Sequence, residues 1–180
     1  MRPRLNNSER IRFLVESAVI AALYAALTYF GNFFGLSYGP FQLRFSEILT
    51  VLPAYTPSAI AGLTVGCFLA NLASFNPLDL LFGTGATLLA AVLSHLLRRF
   101  RVKNIPLLSL LPPIVINALI IGAELSLFWT SGNAEPLAFW LMAAEVAAGE
   151  TAVCGFLGIP FCVFLNKTRL FGGFFHLKSK

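Results

Sequence analysis

Long apolar runs, broken at intervals by proline, glycine and charged residues, dominate this chain. The first covers 12–30 and follows a basic, polar lead. A glycine- and aromatic-rich stretch comes next over 31–41, with Gly35, Gly39 and Pro40 as turn signals. The second run, 44–56, is short: as an α-helix it would reach only about 20 Å at about 1.5 Å per residue, and Pro53 and Pro57 punctuate its end. Glycine and alanine fill 58–73, and after a turn 79–97 is apolar again. Pro112 and Pro113 head the run 112–129, where proline suits a first helical turn. A polar loop precedes the last run, 137–165, in which Pro160 predicts a kink. Neither a repeat nor a low-complexity segment interrupts the series.

Charge decides how these runs are threaded. The sequence has 13 Lys and Arg residues. All but Arg44 fall in three groups: Arg2, Arg4, Arg10 and Arg12; Arg98, Arg99, Arg101 and Lys103; Lys167, Arg169, Lys178 and Lys180. Positive charge gathers in this way on the cytoplasmic side of membrane proteins. If the three groups share a side, an even number of crossings separates each from the next, so 44–56 must cross despite its length. The expected fold is therefore an all-α integral membrane protein, one domain over 1–180. Its six transmembrane helices would leave the N- and C-termini cytoplasmic.

Composition agrees, with 57% hydrophobic residues and a mean hydropathy of +0.78, above what a water-soluble domain carries. The net charge of +5 belongs to juxtamembrane groups and points to topology and anionic lipid, not to nucleic acid. The run 12–30 carries Glu16 and no cleavage site, so it reads as a retained span rather than a signal peptide. Cys67, Cys154 and Cys162 lie in apolar runs without metal-ligand spacing and read as core residues. No metal or cofactor is expected.

The acids within the apolar runs carry the chemistry. Arg44 and Glu47 are three residues apart, on one face of a helix, at the outer start of the second span. Asn71 lies near the outer end of the third and Asp79 near the outer start of the fourth. Glu124 is about one and a half turns below the outer end of the fifth, while Trp140 and Glu145 occupy the outer part of the sixth. Glu150 lies nearer the midplane. Asn117, seven residues before Glu124, shares its helical face. Ionisable groups inside a bilayer cost roughly 2.5–3.5 kcal/mol each at its centre, so they face a cavity or one another. A pocket of carboxylates and amides suits a small, flat ligand with several N–H donors, and Tyr38, Phe41 and Trp140 can stack on its face. The alternative is a scatter of interfacial caps and structural pairs.

The first span also shows small residues at four-residue spacing, Ala18, Ala22 and Ala26, with Ala21 and Ala25 beside them. Such a stripe serves either packing within the bundle or docking of another membrane subunit.

Tyr38-Gly39-Pro40-Phe41-Gln42-Leu43-Arg44-Phe45-Ser46-Glu47, continuing through Leu49-Thr50-Val51-Leu52-Pro53 and Thr56-Pro57, resembles the QueT family. These are S components of energy-coupling-factor (ECF) transporters, linked to uptake of queuosine precursors. Asn71, Pro77-Leu78-Asp79 with Phe82-Gly83, Leu111-Pro112-Pro113 with Asn117-Ala118, and Gly149-Glu150 with Ala152-Val153-Cys154 are similar too, in order over about 18–160. The resemblance implies a six-helix, bacterial plasma-membrane protein that binds a 7-deazaguanine such as preQ1 or preQ0 from outside. It also implies assembly with a transmembrane T component and two ATPase subunits, with the alanine stripe as docking motif. No Gly-Lys-Ser/Thr phosphate loop occurs, so ATP hydrolysis is expected in the partners. Other readings are an S component for another vitamin or nucleobase, a stand-alone proton-coupled transporter, and an intramembrane enzyme using Glu124, Glu145 or His95. Against the enzyme, His95 adjoins Arg98 at the inner boundary, and no catalytic constellation shares one depth.

Overall fold

The computed structural model describes residues 6–35, 44–72, 74, 77–102, 105–130 and 135–168. Helix α1 (Asn7–Phe33) begins five residues ahead of the apolar run. A capping box starts it there: the Asn6 side chain accepts from the Asn7 amide at 2.7 Å, and the Glu9 carboxylate accepts from the Asn6 amide at 3.0 Å. The helix ends in a turn where Gly35 takes φ 70, a left-handed conformation open to glycine.

The next segment, Phe45–Ala54, is a 3-10 helix. With about 2.0 Å rise per residue its ten residues extend about 20 Å, the same reach expected for the longer run 44–56 as an α-helix. Runs of this length are unusual for that geometry. Eight of the ten are buried, Ser46 and Glu47 included. It packs against α1, α2 (Ser58–Asn71) and α3 (Pro77–Leu97), and against a π-helical segment, Ala152–Gly158. A 3-10 turn, Leu107–Leu110, leads into α4 (Leu111–Trp129), which carries proline in its first turn as expected. The last run is continuous, α5 (Pro136–Thr151), the π segment, then α6 (Ile159–Lys167). The expected break near Pro160 takes the form of that π widening, directly upstream of a residue with no N–H to donate to the preceding turn.

Neighbouring helices approach closely at glycine. A Cβ at Gly62 would stand 2.8 Å from the Cβ of Ile20, and one at Gly122 would stand 2.7 Å from the Cα of Ala143. Outward positions are apolar, Leu81 at 71% and Phe156 at 80% exposure among them. Such a surface is at home in lipid rather than water. Asn7–Phe33, Pro77–Leu97, Leu107–Phe128 and Pro136–Lys167 are each long and apolar enough to cross a bilayer. Among the described residues the sole β feature is an isolated bridge, Val102 to Ile105. The protein is an all-α membrane protein.

One end of the bundle is basic. Arg12 pairs with the buried Glu16 at 3.0 Å, and Glu16 also accepts from Ser58 at 2.7 Å and Thr56 at 3.2 Å. The His95 ring nitrogen meets the Pro53 carbonyl at 2.6 Å. Arg101 donates to the Ala54 carbonyl at 3.3 Å and stacks over Tyr55 at 5.4 Å. Tyr55 in turn lies against Cys162 and Asn166 of α6. The start of α1, the end of α3 and the end of α6 therefore meet around the foot of the 3-10 helix. Described members of all three basic groups lie toward that end.

Candidate functional site

The head of the 3-10 helix holds the charged groups. Arg44 and Glu47 are 6% and 3% exposed, and around them lie Asn71 (2%), Asp79 (7%), Asn117 (6%), Glu124 (2%) and Glu150 (7%). These seven come from five helical elements, and all were candidates from the sequence. Helix geometry explains the convergence: Asn71 closes α2, Asp79 opens α3, Glu124 lies in the last third of α4, and Glu150 in the last turn of α5. The 3-10 helix passes between them.

Contacts knit the cluster together. The Arg44 guanidinium is within electrostatic reach of Glu47 and Asp79, and Glu124 reaches the Asp79 carboxyl. The Asn117 amide donates to Glu150 at 2.6 Å. The Asn71 amide donates to the Asp79 backbone carbonyl at 2.8 Å, while its Oδ1 is enclosed and has no hydrogen-bond partner among the described residues. Gly83 makes room here: a Cβ would stand 2.6 Å from Asn71 Nδ2 and 4.0 Å from an Arg44 nitrogen. Four carboxylates against one guanidinium leave an excess of acid in a place shielded from water. Burial of unbalanced charge is costly, so these groups are held where they can pair with one another and with Arg44.

Two further candidates lie on α5. Glu145 is half-buried, with Oε2 enclosed and lacking a hydrogen-bond partner among the described residues. Trp140 is 64% exposed and packs edge-to-face on Phe139 at 4.9 Å, away from the cluster. Tyr38 and Phe41 lie outside the described residues. Ala18, Ala22 and Ala26 are exposed on α1, whereas Ala21 and Ala25 are buried.

Three participants escaped the sequence reading. Tyr24, fully buried on α1, donates its hydroxyl to Glu47 at 2.5 Å. Cys154 places its sulfur 3.7 Å from Glu150 and 3.7 Å from Thr50. Thr50 donates to the Glu47 carbonyl at 2.6 Å. A signal for Tyr24 was present, since Glu16, Ile20, Tyr24 and Thr28 recur every four residues and form one buried face. Thr50 lies three residues after Glu47 and Cys154 four after Glu150, but that the two meet each other, 104 residues apart, is decided by packing alone.

A lipid-facing helical bundle closed around buried acids from separate helices defines a membrane protein of the polytopic, all-α class. The family described as QueT transporter matches residues 14–167, and the chain belongs to that family. Its likeness to the queuosine precursor transporter QueT of Lactococcus lactis subsp. cremoris (strain MG1363) is 37% identity over 84 residues, 47% of this chain and 50% of that protein. The chain thus spans about half the length of this curated relative. No solved structure matches it.

Proposed function

We propose that this chain is the substrate-binding membrane subunit of an ATP-driven ECF-type importer. Its cargo is a queuosine precursor, a 7-deazaguanine such as preQ1 or preQ0, captured from the extracellular side of a bacterial plasma membrane. The observation that carries the reading is the meeting of Glu47, Asp79, Glu124 and Glu150 around Arg44, all nine-tenths buried or more. Carboxylates accept paired hydrogen bonds from the donor edge of a guanine-like ring, and a protonated aminomethyl group takes a carboxylate of its own. The acid excess favours the aminomethyl form over a neutral nitrile. The enclosed acceptors of Asn71 and Glu145 supply further partners for N–H donors.

Orientation follows from charge. Basic groups prefer the cytosol, and the acid cluster lies toward the opposite end, at the head of the 3-10 helix. Ala18, Ala22 and Ala26, small and exposed on α1, form the face on which a T component docks, with two ATPase subunits supplying energy. Buried acids also suit a stand-alone proton-coupled transporter, and co-purification with ATPase subunits separates the two readings.

Mass spectrometry of the small molecule carried through purification tests the substrate, a 7-deazaguanine being the expected result. Glu124→Gln should raise Kd for the aminomethyl compound about 10–100-fold without unfolding the protein, the loss expected for one charge-assisted hydrogen bond. Wild-type affinity by calorimetry in both Glu124→Gln and Glu145→Gln would overturn the site.

A further inference from the structure

Away from the acid cluster, at the basic end, a groove of about 370 Å³ runs between the last turns of α3 and the first turns of α4. Leu93, Leu96 and Leu97 form one wall; Leu111, Pro112 and Val115 form the other. Leu96, Leu111 and Val115 are 63%, 49% and 49% exposed, so the groove opens to the outer surface of the bundle. Every one of these side chains is hydrocarbon. The 3-10 turn that leads into α4 is tied to α3 by the Ser94 hydroxyl, which donates to the Ser109 carbonyl at 2.8 Å.

Charge lies at the mouth. Leu97, the last residue of α3, is followed directly by Arg98 and Arg99. Arg98 donates one N–H to the His95 carbonyl at 2.9 Å, leaving most of its five-donor fork for other partners, and Arg99 is exposed. Phe100 and Val102 on the same turn are 63% and 58% exposed, in keeping with a turn seated at the membrane interface. A hydrocarbon groove ending at guanidinium groups has the polarity of a phospholipid: tail, then phosphate.

We propose that this groove holds an acyl chain of one anionic phospholipid, whose phosphate and headgroup are bound by Arg98 and Arg99. Guanidinium matches phosphate in a two-point fork, and basic sites between helix ends recruit anionic headgroups. A net negative lipid is preferred over a zwitterionic one because the mouth offers positive charge, while the acids at this end lie on α1: Glu16 is engaged by Arg12, Thr56 and Ser58, and Glu9 caps the Asn6 amide. This site is independent of the transported solute.

Native mass spectrometry of the full-length protein, released from detergent with phosphatidylglycerol or phosphatidylcholine of identical chains, tests the proposal. The wild type should retain one phosphatidylglycerol with about 10–30-fold preference. Arg98→Gln with Arg99→Gln should bring the two lipids to parity. Val115→Trp, at an exposed position that tolerates bulk, should fill the groove and weaken retention of both. Equal retention of both lipids by the wild type, or an unchanged preference in the arginine double variant, overturns the headgroup assignment. Undiminished lipid retention in Val115→Trp, with assembly to partner subunits lost, assigns the groove to a protein helix instead and overturns the proposal.

Discussion

A methyl group added at Gly66 tests how the helix packing holds the acid cluster. A Cβ there would stand 2.8 Å from the Cβ of Tyr24 and 2.8 Å from the Ala21 carbonyl oxygen. Carbon atoms rest at about 3.5–4.0 Å, so α1 and α2 must part by about 1 Å. No rotamer relieves the clash, because both opposing atoms are fixed to the α1 backbone. Tyr24 then draws away from Glu47. Its hydrogen bond, 2.5 Å long, opens to about 3.5 Å, beyond useful range. Overpacking costs about 1–3 kcal/mol, and a lost bond to a buried carboxylate about 1.5–3 kcal/mol. Gly66→Ala should therefore cost about 2.5–6 kcal/mol, lowering the unfolding midpoint by roughly 5–24 °C for a chain of this size. Gly85→Ala is the control. That glycine is exposed within α3, and a Cβ there meets nothing within 4 Å, so alanine should stabilise by about 0.5–1 kcal/mol through helix propensity. Thermal unfolding in detergent, with calorimetric titration of a 7-deazaguanine, reads both effects. A Gly66→Ala protein with wild-type midpoint and affinity, or a Gly85→Ala protein equally damaged, would refute the reasoning.

Asn117→Ala strips Glu150 of its 2.6 Å donor and should cost about 1.5–3 kcal/mol of stability together with weaker ligand binding; Asn117→Asp, which sets a second carboxylate there, should cost more by the same unfolding assay. Glu16→Ala should cost about 3 kcal/mol, since Ser58, Thr56 and Arg12 all converge on that buried side chain. Arg12→Ala, whose side chain is 34% exposed, should cost under about 1 kcal/mol, and equal losses would contradict the hierarchy. Leucine at both Ala18 and Ala22 should leave stability within about 0.5 kcal/mol of wild type, because both are exposed, while abolishing co-purification with partner subunits. Intact assembly would remove the docking face.

Much of the architecture was legible because bilayer physics writes in long words. An apolar run of about 20 residues has one reading, and basic groups between runs count the crossings. Hence the segments of α1, α3 and α4 were evident from composition. The acids were legible for the same reason: a charge inside an apolar run is costly and must have a purpose.

What required the tertiary structure was winding and company. Periodicity presumes 3.6 residues per turn, so it could not foresee that Phe45–Ala54 winds as a 3-10 helix or that Ala152–Gly158 widens to a π-helix. Apolar periodicity also could not separate Ala21 from Ala22. Both are small and adjacent, yet Ala21 is buried and Ala22 faces outward, because only the position of α2 determines which face of α1 is occupied. The same holds for Trp140, whose ring type suited a binding pocket but whose place on α5 turns it to the outer surface. The cost of buried charge is local and can be seen residue by residue; the partner that offsets it is chosen by packing, across elements far apart in the chain.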